Sequence, residues 1–512
     1  MVVPPGIIYL SRTLPGVISP RRNGAGLGWI PIVTALIVQP IVFGVGLLYT
    51  NIATWRDAAR REAVQIPQVP DPWPGGLSNV SLLGKMLEAG YPAEVFRQWF
   101  ENYGNTVIAN LLFENRIVTV EPAYIKVRSP IDSDRGNSLL GTGVFNTDGK
   151  FHRSMTRPFF SRERISDFDI FDKHANDAIA QAAARLREGY AVDIQVGIPH
   201  FELLWNLILD FLPRTLPFCR SRLPRLVIPE NPPSFLNHPS NTFVNAFLEG
   251  QRLHVARSRF GSKWRLYEFW KDLIKPHRDA DTLLSHLLQG TEVIIEPRIS
   301  DFSHLDIRNI HAREHLEIAQ RLRDEILGKV GSSRSPTHDD IRAMPYLRAF
   351  INETLRLYPP VASKNATTWP ATNPGGRPLY VPAKTKILYT VFVMHRRTDL
   401  WGPDALDFDP DRFMDARLNK YLTPNPYIFL PFNAGTSSKL LPQFAYQEVS
   451  FFLVRLLQKF KTFSLAPDAQ PEDTKPPASW KTCPLKGREK ITFGSNLTMY
   501  AKGGLWVRME EA

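Results

Sequence analysis

The sequence predicts a mainly α fold with small β-sheets, preceded by an N-terminal transmembrane helix. Three observations carry this reading. An uncharged apolar run opens the chain, several later segments repeat apolar residues at helical spacing, and the β-branched stretches are too short for large sheets.

The apolar run extends from Asn23 to Trp55 without a charged side chain. About twenty apolar residues suffice to cross a bilayer, and a cleaved signal has a shorter apolar region and a small-residue cleavage site. The run is therefore read as a retained anchor, with a buried core helix as the competing reading. Pro31 and Pro40 lower its helix score, yet membrane helices tolerate proline. Arg21 and Arg22 precede the run, and Arg56, Arg60 and Arg61 follow it, so charge does not fix its orientation. The expected organisation is a tail at 1–22, an anchor at 23–55, a proline-rich hinge at 56–77 and one large domain at 78–512, with 196–231 and 289–320 atypical. Pro67, Pro70, Pro72 and Pro74 make the hinge extended and stiff.

Within the body, Val107-Ile108 and residues 117–120 read as strands, and His174 to Leu186 as an alanine-rich helix. From Val196 to Pro239 prolines interrupt any period, and helical character returns over 244–274. Residues 321–331 form a charged amphipathic helix with Gly331 at its C-terminal turn, and Thr337 caps the segment after it. Pro345 to Leu357 is helical, residues 378–381 and 386–393 are strand-like, and Phe444 to Phe460 is a last apolar helix.

Composition narrows the function classes. The formal net charge is +12, but the basic residues are dispersed and no aromatic-basic stripe appears. Anionic lipid and an acidic protein partner suit this surface, and nucleic acid is not expected. Two cysteines, Cys219 and Cys483, exclude a disulfide framework and fit a reducing, cytosol-facing body.

The chemistry-bearing constellation lies near the C-terminus. Glu353-Thr-Leu-Arg356 sets a carboxylate and a guanidinium on one helix face. Such a pair alone means little. Here it precedes Leu357-Tyr-Pro-Pro360, then Phe408-Asp-Pro-Asp-Arg-Phe413, then Pro431-Phe-Asn-Ala-Gly435 and an apolar helix. That order resembles the cytochrome P450 family, most closely its fungal membrane-bound members that oxidise alkanes, fatty acids and xenobiotics. The resemblance covers the anchor, 138–193, 233–286 and 321–463.

What the resemblance implies is specific. The fold would be the cytochrome P450 fold, and the reaction a monooxygenation of a lipophilic small molecule. The cofactor would be haem b, and the partners an NADPH-dependent reductase and the endoplasmic reticulum membrane, crossed once with the body in the cytosol. Glu353, Arg356 and Arg412 would form a buried ion network that holds the haem loop. Phe432, Gly435, Arg153 and His152 would contact the cofactor.

The sequence departs from the family at its central chemistry. The family's haem loop reads Phe-x-x-Gly-x-Arg-x-Cys-x-Gly, whereas this chain places Ser437, Lys439 and Leu441 at the arginine, cysteine and second glycine. The family's thiolate donates electron density that favours O–O cleavage. An ammonium has no lone pair to give, and Lys439 would bind iron only if burial deprotonated it. Gly149 fills the tryptophan slot before Arg153, no oxygen-activating Ala-Gly-x-(Asp/Glu)-Thr-Thr turn lies between Thr282 and Gln320, and the stretch after Pro360 is short of an arginine. Catalytic residues are therefore not assigned. Matching stretches stop and resume abruptly at Gly149, 196–231, 289–320, Val361 and 436–442, which suggests replaced segments rather than even drift. Two readings stand: a monooxygenase, or a haem-free P450-like scaffold or misread gene.

Smaller motifs rank below this one. His311-Ala-Arg-Glu-His315 matches an inverted zincin pattern with no supporting flanks. Asn79, Asn365 and Asn496 begin glycosylation triplets, and His395-Arg-Arg397 either lines a haem-proximal surface or is solvated, the second being preferred.

Overall fold

The computed structural model describes residues 30–125, 168–197, 316–359, 363–365, 377–382, 385–432, 441–495 and 499–512. They divide into two units. The smaller takes in 30–66 and 377–382. Its helix α1, Ile30–Arg60, is continuous through Pro40. Val64 exchanges backbone hydrogen bonds with Pro378 and Tyr380, and the Tyr380 hydroxyl donates to Asp57 at 3.2 Å. Among the described residues no helix is long and apolar enough to cross a membrane. The run expected to do so, 23–55, lies partly outside them.

The larger unit is mainly helical. Helices α2 (Leu77–Glu88) and α3 (Glu94–Tyr103) lead into the hairpin β1 (Thr106–Leu111) and β2 (Glu114–Thr119). Its two-residue turn, Leu112-Phe113, has both φ values positive, as the twist of a tight hairpin demands. Asn110 Oδ1 and the Gly75 carbonyl both accept from the Phe113 N–H. Pro67 and Val69 bond Ile108, so the proline-rich stretch runs along β1. Helix α4 (Phe168–Arg187) precedes β3 (Val192–Asp193). Then come α5 (Leu316–Lys329), α6 (Pro345–Leu357), β4 (Ser363–Asn365), β5 (Lys386–Thr390) and α7 (Leu441–Lys459). Strands β6 (Phe460–Leu465), β7 (Phe493–Ser495), β8 (Met499–Ala501) and β9 (Trp506–Glu511) close the chain. The sheets are small: β1-β2-β5-β4, β3-β9-β6 and the β7-β8 hairpin.

Local chemistry explains the helix ends. Gly331 sits at φ 84° just after α5, where a left-handed residue closes the last turn. Thr337 and Asp340 form a reciprocal capping box. Pro345 starts α6, and its next two N–H groups donate to the Glu325 carboxylate on α5 at 3.0 and 2.8 Å. Nearly the whole of α6 is then buried, polar residues included. Helix α7 supplies the other half of this core. Its Phe451 packs on Phe168 and Phe171 of α4, and its Leu457 carbonyl accepts from Arg323 of α5.

Three expectations need comment. The strand expected over 386–393 ends at Thr390, and Val391–Met394 is one helical turn. These residues are almost all buried, and a short apolar run hidden on every side carries no period to separate strand from helix. Asn79 is 2% exposed and its side chain donates to the Asn110 carbonyl, so its triplet offers no accessible acceptor in this fold. The helical expectation over 244–274 lies outside the described residues.

Gly76 provides a test. Its φ is 77°, and an added Cβ would run into the Asn110 carbonyl oxygen, which is backbone and cannot rotate away. Gly76→Ala is expected to destabilise the chain by roughly 1–3 kcal/mol from the backbone conformation alone, read as a lowered thermal midpoint. Gly84→Ala, which meets open space on α2, should not lower it.

Candidate functional site

The site begins with two side chains one helical turn apart. Glu353 and Arg356 lie on α6, and both are fully buried. Arg356 Nε and Nη2 donate to the two Glu353 oxygens, each at 2.7 Å, a bidentate fork. The remaining Arg356 donors reach backbone carbonyls of His395 (2.8 Å), Ala405 (2.6 Å) and Asp407 (3.1 Å). Burial draws the Arg356 pKa down, and the Glu353 charge opposes this. The guanidinium stays protonated, since arginine does not lose its proton in proteins.

Arg412 completes the cluster. It follows Asp409-Pro410, where Asp409 caps a short 3-10 turn with Pro410 at its start. Its Nε lies 3.5 Å from Glu353 Oε1, and Nη1 and Nη2 bond the Trp401 and Asp404 carbonyls at 2.9 and 2.8 Å. Asp404 adds a second carboxylate at 2.9 Å, so two guanidiniums face two carboxylates. Burial pushes the Asp404 carboxyl up, but Arg412 and Arg417 outweigh it and hold it below the ordinary range. The Asp409 N–H also donates to Glu353 at 3.0 Å. The structure thus brings Glu353, Arg356 and Arg412 together in a desolvated, fully bonded cluster.

The network's own hydrogen bonds reach residues 395–417 and, among the described residues, do not extend to Phe429–Phe432. The link is His395. It is fully buried, against the expectation of a solvated stretch. An apolar neighbourhood assembled from Trp401 and Phe429, distant in sequence or masked by intervening charges, encloses it. Its Nδ1 lies 2.9 Å from the Arg356 carbonyl, and the Leu430 N–H donates to its Nε2 at 3.0 Å. Phe432 packs its ring against Tyr446 of α7 at 5.8 Å. His152, Arg153, Gly435 and Lys439 lie outside the described residues, as do Cys219 and the His311–His315 pattern.

Residues 312–486 match the sequence profile of the family described as Cytochrome P450. A protein of Arthroderma benhamiae named Cytochrome P450 is 30% identical over 86% of this chain and 90% of its own length. The chain belongs to the cytochrome P450 family. Cytochrome P450 monooxygenase g430 of a Fusarium species is 27% identical over 81% of this chain and 83% of its own length. Cytochrome P450 52A6 of Candida tropicalis is 27% identical over 65% and 71%. The family consists of monooxygenases, which are oxidoreductases, and it implies a haem.

The donor set of this P450 chain does not fit a thiolate-held haem. Residues 433–440 read Asn-Ala-Gly-Thr-Ser-Ser-Lys-Leu and contain no cysteine, histidine, methionine or tyrosine, the side chains that hold haem iron. Cys483 is half-buried in a run of 3-10 turns, its N–H bonded to Trp480 and its carbonyl to Gly487. Among the described residues no group of three His, Cys, Asp or Glu side chains is placed to hold a metal.

Two outcomes follow. Glu353→Gln leaves the buried Arg356 guanidinium without a carboxylate, since Asp404 pairs with Arg412 and Arg417, and is expected to cost about 3–5 kcal/mol, measured by urea unfolding. The exposed Arg508–Asp468 pair is the control, and Asp468→Asn should leave the urea midpoint unchanged. The second outcome concerns pH. Burial pushes the His395 pKa from 6.5 down to about 3, so the folded chain keeps it neutral. The unfolded chain takes up the proton first as pH falls. Stability from this residue is therefore full above about 6.5 and is lost progressively toward about 3. Thermal midpoints across that window should fall less steeply in His395→Gln than in the unaltered chain.

Proposed function

We propose that this scaffold serves a P450-type monooxygenase. One atom of O2 enters a lipophilic small molecule as a hydroxyl and the other leaves as water, with two electrons from an NADPH-dependent reductase and two protons from solvent. The observation that carries the reading is the complete Glu353–Arg356–Arg412 cluster. Three charges taken out of water add little net stability compared with an apolar core, so their use lies in fixing geometry. They fix Asp404–Arg412 and, through His395, the approach to 433–440. The uncharged run 23–55 supports attachment to a membrane, and the likeness to fungal P450s supports the endoplasmic reticulum with the body in the cytosol. It also favours a substrate that partitions into lipid, and the membrane anchor and family analogy are the warrant for that class.

Haem b is the cofactor this reading requires, and Phe432, Gly435, Arg153 and His152 are the residues proposed to contact it. Lys439 stands against it: the chain as written supplies no thiolate at the position where the family places one. That single residue is the ground for the second reading, a haem-free scaffold, to which the related fungal proteins lend no support. Restoring the family pattern separates the two. The variant Ser437→Arg, Lys439→Cys, Leu441→Gly, expressed in microsomes, is expected to take up haem and show a thiolate-type absorbance band. The unaltered chain is expected to show none. Absence of haem from the folded triple variant would leave the scaffold reading in place of the monooxygenase.

A further inference from the structure

Two side chains outside the ion cluster tie the residues on either side of 433–440 to one helix. Before that segment, the His395 imidazole stacks on Phe429, with ring centres 5.6 Å apart and planes 27° from parallel. Its two nitrogens have different duties. Nδ1–H donates to the Arg356 carbonyl of α6, and Nε2 accepts from Leu430 N–H. Only one neutral tautomer does both. After the segment, the Tyr446 hydroxyl on α7 donates to Asn352 Oδ1 of α6 at 2.6 Å. The Arg348 guanidinium covers the Tyr446 ring at 3.3 Å, and Phe432 packs on that ring. The two ties meet α6 one turn apart near its C-terminal end, Asn352 through its side chain and Arg356 through one of the last carbonyls, which the helix itself leaves unpaired.

We propose that His395 and Tyr446 are positioning residues that fasten Leu430 and the first turns of α7, which flank 433–440 in sequence, to the C-terminal part of α6. The ion cluster alone does not do this, since its hydrogen bonds stop at residues 395–417. Arg356 instead hands the constraint on: its guanidinium holds the His395 carbonyl, and its own carbonyl holds the His395 ring. The inference rests on these contacts and holds whichever residue occupies position 439. Its failure would leave the proposed reaction untouched.

Hydrogen exchange at single-amide resolution on the full chain tests it. In His395→Phe the ring still stacks on Phe429 but has no acceptor. The Leu430 amide should exchange about five- to tenfold faster, the loss of one ordinary hydrogen bond, while α6 amides keep their rates. In His395→Gln the side-chain oxygen can reach Leu430, and its protection should return. Tyr446→Phe should loosen the first turns of α7 and leave Leu430 unchanged. Should His395→Phe not fold, His395→Asn takes its place, since it retains a donor toward Arg356 but is too short for Leu430. An unchanged Leu430 amide in His395→Phe or His395→Asn, or equally fast exchange in His395→Gln, would overturn the proposal.

Discussion

Everything around α6 depends on Glu353 having no water to turn to. Its two oxygens are buried, and each must be met by a donor from protein. That requirement recruits Arg356 from its own helix and Arg412 and the Asp409 N–H from a segment more than fifty residues later. Each recruited guanidinium then needs its remaining donors satisfied, which draws in the carbonyls of His395, Trp401, Asp404, Ala405 and Asp407. One buried carboxylate thereby fixes the course of a stretch of backbone that has little regular secondary structure. An apolar core would hold that stretch as tightly, but it would tolerate several alignments, whereas paired donors and acceptors at fixed positions tolerate few.

Much of this was legible in the sequence where the signal is local. Thr337 and Asp340 are three apart, Gly331 follows a charged helix, and Pro345 opens a helix that stops at Pro359-Pro360. Each is settled by residues a turn away, and each element stands at or within a few residues of its expected place. Glu353 and Arg356 share a face by spacing alone, but their pairing with Arg412 came from a family resemblance, because no local rule joins residues so far apart. Two readings failed for the same reason. His395 sits between Met394 and two arginines, a context that looks solvated, and is buried by Trp401 and Phe429. Val391–Met394 looks like the end of a strand and is a helical turn, because burial on all sides erases the period. In both, tertiary contact overrode neighbours in sequence.

Fold and chemistry part company in this chain. The architecture needs shape, burial and satisfied hydrogen bonds, and those survive in α5, α6, α7 and the stretch between Trp401 and Phe432. The reaction of the family needs one sulfur at one position, and Lys439 stands there. Fold never guarantees function for this reason: the site is a small set of atoms carried by a much larger scaffold. The cluster at Glu353 and the ties through His395 and Tyr446 contain no group that reacts. They hold Asp404–Arg412, Leu430 and the first turns of α7, whatever residue occupies position 439.

The chain is thus a cytochrome P450 scaffold whose residues 433–440 hold no cysteine for iron. The most direct test is the reduced carbon monoxide difference spectrum of the purified, unaltered full-length chain after incubation with haem, on protein first shown by circular dichroism to be helical and folded. The account predicts helical, cooperatively folded protein with no thiolate-type absorbance band. A thiolate-type band from protein with lysine confirmed at position 439 would contradict it, and would mean that another cysteine reaches the iron.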